Sequence, residues 1–138
     1  MAGLADVREG LMDRLATIAG LEVSDVWPDT VNPPCAVVLP GPDRVATPHT
    51  AFASRGSYYL QVIMLGPVGT LADGQRRLDD YLDMTGATSV LAAIEGDETL
   101  GGATEGLLCG EWQGYGTREA NGVKYISATM PVECWVIN

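Results

Sequence analysis

Asp79 and Asp83 are the residues whose types and spacing best suit chemistry. They stand four apart in a segment that reads as a helix, so their carboxylates share a face. Such a pair could hold a hard cation, Mg²⁺ or Ca²⁺. A solvated helix face explains it equally well, because Asp80 lies between them and Arg76 and Arg77 are at hand to pair with the acids. A second acidic group, Glu95, Asp97 and Glu98, lies on a glycine-ended loop but departs from the D-x-D-x-D-G order of a calcium loop. A nucleophile–histidine–acid arrangement would have to use His49, the only histidine. His49 sits between Pro48 and Thr50 in an irregular stretch, and no G-x-S-x-G surrounds any serine.

Other motifs lack their necessary parts. Gly66 to Gly69 has no lysine nearby to reach a β- or γ-phosphate. Gly114-Tyr115-Gly116 begins like a dinucleotide fingerprint, but Glu119 occupies the next glycine position and β rather than helix follows. Cys35, Cys109 and Cys134 form no C-x-x-C, and one histidine cannot complete a zinc-finger spacing. They read as reduced, buried thiols. Trp27, Trp112 and Trp135 lack the basic interleaving of a base-stacking platform. Trp135 falls on the outward face of the last strand, where a large aromatic suits either a protein interface or a further core layer. No cofactor is expected, and metal ligation has only Asp79 and Asp83 as candidates.

The composition narrows the classes further. The chain has 138 residues, the size of one domain with its own core. Eighteen Asp and Glu against eight Lys and Arg leave a net charge of −10, and Lys124 is the only lysine. This balance argues against nucleic-acid binding and against docking on an anionic membrane. It suits solubility, a basic partner protein, or a surface that DNA slides past. No apolar run reaches the ~20 residues of a membrane span, and no signal peptide is visible at the N-terminus.

The elements that must position these residues follow from periodicity. Leu4, Val7, Leu11, Leu15 and Ile18 recur at helical steps. Leu21 to Trp27 and Cys35 to Leu39 read as short strands. Residues 41–56 carry no period and read as an irregular loop or arm. It is a candidate contact arm, and Arg44, His49, Phe52 and Arg55, with Trp135, are the candidate interface residues. Ser57 to Leu65 is a strong central strand. Thr70 to Met84 and Ser89 to Ile94 read as helices, the latter capped by Thr88 or Ser89. Leu107 to Gln113 reads as one strand, and Asn121-Gly122 as a hairpin turn. Val123 to Ile137 alternates with period two, and Pro131 predicts an edge or a bulge there. The expectation is one α+β domain over 1–138, a mostly antiparallel or mixed sheet of about five strands packed by two to three helices, in the order αββ(loop)βααββ.

The succession of motifs is also familiar. Asp29-x-x-Asn-Pro-Pro-x-Ala-Val-Val38 comes after the first helix and strand. Leu78-Asp-x-Tyr-Leu82, Ser89-Val-x-x-Ala-Ile94, Thr99-Leu-Gly-Gly102 and Gly114-Tyr-Gly116 succeed it in order. Together they resemble the tail terminator proteins of long-tailed bacteriophages, especially those of actinobacterial hosts, over nearly the whole chain. The resemblance implies a non-enzymatic virion subunit at the head–tail junction, assembled in the host cytoplasm. It would form a homo-oligomeric ring, expected to be a hexamer, that caps the tail tube protein and ends tail polymerisation. The candidate interface residues would lie against a neighbouring subunit or the tail tube. The other face of the ring would meet a head completion or neck protein, and DNA would pass through without specific binding. Another head–tail joining or tail completion protein fits the same features. A small cytosolic enzyme or ligand-binding protein using Asp79/Asp83 or His49 is the alternative from a different class.

Overall fold

The computed structural model describes residues 3–26, 34–48, 55–66, 71–120 and 122–137. His49, Phe52, Trp27 and Thr70 lie outside the described residues. The helix α1 (Leu4–Leu15) forms where the apolar stripe predicts it, with Val7, Leu11 and Leu15 fully buried. The Asp6 carboxylate accepts the Gly3 N–H at 2.9 Å and so satisfies a donor at the helix start. Two arginines on the polar side of α1 reach back to the fold. Arg8 donates to the carbonyls of Asp25 and Val38, and Arg14 donates to the Ala93 carbonyl at 2.8 Å.

The strands are β1 (Glu22–Ser24), β2 (Cys35–Pro40), β3 (Ala46–Pro48), β4 (Arg55–Leu65), β5 (Gly106–Cys109), β6 (Gln113–Ala120) and β7 (Val123–Ile137). They form one open mixed sheet of seven strands in an α+β fold. β4 and β7 are its antiparallel centre, in register from Arg55↔Ile137 to Leu65↔Ser127. β2 and β3 both pair with the outer side of β4, one after the other, and β1 adds in parallel to β2. β5 and β6 likewise pair in turn with the outer side of β7. Each central strand is therefore flanked by two short strands in line. This raises the expected five strands to seven.

Three expectations change at these flanks. Residues 41–56 are not wholly irregular, because Ala46–Pro48 pair with β4 and β4 begins at Arg55. The run from Leu107 to Gln113 is two strands rather than one, broken after Cys109. β7 is not an edge strand, since it is paired on both sides. Its Pro131 is tolerated because of that break. The Pro131 carbonyl accepts from Gly110 at 2.7 Å, and in an antiparallel strand N and O of one residue face the same side. Its nitrogen, which has no proton to donate, thus faces the gap between β5 and β6, where no ladder bond is forfeited.

The helices α1, α2 (Leu71–Leu82) and α3 (Val90–Glu95) belong to the main apolar core, which takes in one face of the sheet. That face presents Ala36, Val38, Leu60, Val62, Met64, Met130, Val132 and Cys134 to Leu11, Leu15, Leu78 and Ile94. All are essentially inaccessible to solvent. Ser89 caps α3, accepting the Ala92 N–H at 3.1 Å, and its hydroxyl donates to the Asp83 carbonyl. This hydroxyl ties the start of α3 to the end of α2. The opposite sheet face carries a smaller cluster of Cys35, Val37, Ile63, Leu65 and Tyr125. Gly122, with φ of 78°, lies in the two-residue turn joining Ala120 to Val123, as the Asn-Gly signal predicts.

Candidate functional site

The two breaks in the flanking strands face one another across the sheet centre. On one side, β2 ends at Pro40 opposite Leu60 and β3 begins at Ala46 opposite Tyr58. Residues 41–45 bulge out opposite the single residue Tyr59. Both polar groups of the Tyr59 backbone are kept bonded: its carbonyl accepts Gly41 N–H and its N–H donates to Val45 O, each at 2.8 Å. On the other side, residues 110–112 leave the ladder opposite Pro131. Gly110 passes so close that a Cβ there would lie 2.6 Å from the Pro131 ring, so glycine is needed for the approach.

Between the two bulges lies a groove of about 320 Å³ on the face away from the helices. Its floor is Tyr59 and Gln61 from β4 and Thr129, Pro131 and Glu133 from β7. Asp43 and Arg44 line one wall, and Leu108 and Gln113 the other. The Arg44 guanidinium sits 4.0 Å over the centre of the Tyr59 ring, a cation–π contact. Gln61 donates its amide to the Pro40 carbonyl at 3.1 Å, which orients it at the mouth of the bulge. Glu133 is half-buried between its cross-strand neighbours Tyr59 and Leu108, and Leu108 is 58% exposed. The groove thus combines an apolar rim, two amides, a hydroxyl, a stacked cation and carboxylates. It has the means to recognise a ligand or a side chain.

The other candidates are placed elsewhere. Trp135 is half-buried on the same sheet face as the groove, over Gly106 and opposite Ser57. Arg44 and Trp135 therefore share a face, as neighbours along the β4–β7 pair. Arg55 opens β4 opposite Ile137. Asp79 accepts a hydrogen bond from the Tyr115 hydroxyl at 2.9 Å, which ties β6 to α2. Burial first, and then this carboxylate, raise the Tyr115 pKa. Asp83 is exposed one turn on. Among the described residues no three His, Cys, Asp or Glu side chains come together as a metal site. Asp97 is held by its own loop, accepting from the backbone and hydroxyl of Thr99 and from Gly101 N–H. These bonds lower its pKa.

All three cysteines are free thiols. Burial, reinforced by Glu95 and Glu98, pushes Cys109 up to about 12, and burial with Cys109 and Glu133 does the same to Cys134. Neither is a nucleophile near neutral pH. Most of the groove residues escape sequence reasoning, because they come from separate elements brought together by register. The local signals are the glycines at 41 and 110, each marking a break in an apolar run. No protein-family model matches the chain, and no curated protein matches it significantly.

Proposed function

We propose that the protein is a structural subunit that closes into a ring on the end of a phage tail tube. The ring ends polymerisation and offers its other face to the head completion proteins. The reading rests first on the ordered succession of motifs that resembles tail terminators. The observation in the fold that carries it is the open sheet, whose outer strands pair with no further strand among the described residues and so suit strand addition. The β6–β7 hairpin adds to this. Its residues Thr117–Ala120 and Val123–Ile126 extend past Leu65, the last residue of β4 in register with β7. A net charge of −10 per subunit fits a ring through which DNA passes without sticking.

The fold limits which segments can make such contacts. β7 is central, so strand addition across subunits falls to the outer strands β1, β3, β5 or β6. Residues 41–45 of the 41–56 stretch form a groove wall.

The test is to assemble the tail tube protein in the presence and absence of this chain and to measure tube lengths by electron microscopy. Capped, short tubes with a ring at one end are expected. Tubes of unchanged length with no bound protein would overturn the proposal, and binding to the head connector alone would make the chain a neck component.

A further inference from the structure

We infer that the tip of the β6–β7 hairpin of one copy seats in the groove between the two bulges of the next copy. The inference rests on the ring reading and names the surfaces that would close it. The tip presents Val123, 42% exposed, and Lys124, the only lysine of the chain. The groove presents Leu108 and Pro131 beside Glu133, with Asp43 on the far wall. Lys124 is exposed at the end of the hairpin, and Glu133 is half-buried opposite Tyr59 and Leu108. An exposed apolar residue and a cation, on opposite faces of the hairpin end, are thus set against an exposed apolar residue and a half-buried carboxylate.

A chain cannot make this contact with itself. Val123 and Pro131 lie on one continuous strand, eight residues and so about 27 Å apart at ~3.4 Å per residue. The rigid β4–β7 pair keeps them separated. A tip from one molecule in the groove of another is a head-to-tail contact, which propagates into a ring or a filament rather than stopping at a dimer. A hairpin tip covers less than the ~1,200 Å² of a stable interface. A single such contact is therefore weak, and the closed ring, in which every copy is held twice, is the stable species. Glu119 stands opposite Lys124 on the hairpin, and Arg44 stacks on Tyr59, the cross-strand neighbour of Glu133. Both temper the attraction, so the contact is sensitive to salt.

The experiment compares the full chain with K124E, E133K, E133Q and the double variant K124E/E133K. Particle mass is measured by light scattering over concentration at low and moderate salt, and near-ultraviolet circular dichroism checks each fold. Each charge reversal is expected to raise the concentration needed for association by about tenfold or more, since it opposes like charges. The double variant should restore it to within about threefold of the starting protein, and E133Q should fall between. Association that is unchanged in both reversals, or not restored by the double variant, overturns the inference while leaving the ring reading intact. A wild-type chain that stays monomeric at every concentration also overturns it, and the tube-capping assay then judges the ring reading separately.

Discussion

The two faces of β7 differ residue by residue. Met130, Val132, Cys134 and Val136 point under the helices and are all but inaccessible. Thr129, Pro131, Glu133 and Trp135 alternate with them on the other face and are half-buried or exposed. The same strand is thus a core element on one side and, from Thr129 to Glu133, a groove floor on the other. Hydrophobic burial on one face fixes the register, because a one-residue slip would turn the whole apolar set outward. Tyr125 and Ser127 on the second face are buried, Tyr125 in the smaller apolar cluster. Only beyond them, from Thr129 to Trp135, does this face carry accessible groups at fixed spacing. Rigid placement of a groove floor comes from packing that the groove itself does not supply.

Adjacent residues give the sharpest way to break this comparison. Met130→Ala should cost about 2–5 kcal/mol, the range for large-to-small changes in a packed core. Thr129→Ala, one position away, should stay within about 0.5 kcal/mol. Urea unfolding measures both, and equal losses would mean that the two faces contribute alike. Gly110→Ala probes the edge of the groove. Its Cβ would meet the Pro131 ring at 2.6 Å, and the displacement should cost about 1–3 kcal/mol. A neutral result would show that the break after β5 moves freely and that the groove wall is soft.

The thiols give the smallest effect near neutral pH. The folded pKa values of Cys109 and Cys134 are raised from 9.0 to about 12, so their protonated forms favour the fold. Their contribution is complete below pH 9 and is lost as pH rises from 9 towards 12. Melting temperature should therefore fall with rising pH over that window. Replacing both by alanine should flatten the decline, and an unchanged slope would assign it to other groups.

Several elements were legible because their signals are local. The α1 stripe, the apolar run of β4 and the alternation of β7 each repeat often enough to state a period. The Ser89 cap and the Asn-Gly turn depend on a few adjacent residues. β3 was not legible, since three residues that include Pro48 carry no period. Of the edge or bulge that Pro131 predicts, the edge failed for a similar reason. Pro131 states that a donor is missing, but not that the partner strand would break opposite it at Gly110. Asp79 and Asp83 were readable as a helix pair, whereas the Tyr115 hydroxyl that binds Asp79 arrives from 36 residues away.

The sequence by itself determined the class of the fold, the helix faces, the strand interiors and an acidic surface. These come from side-chain periodicity and charge, which every short segment states for itself. The tertiary structure alone decided which strands are central, which flanks run in line and where their two breaks face each other. The facing of the two breaks depends on register between residues more than 60 positions apart in the chain, such as Tyr59 opposite Glu133. Pairing of that kind is chosen by the summed burial of a whole face, a quantity that no single segment contains.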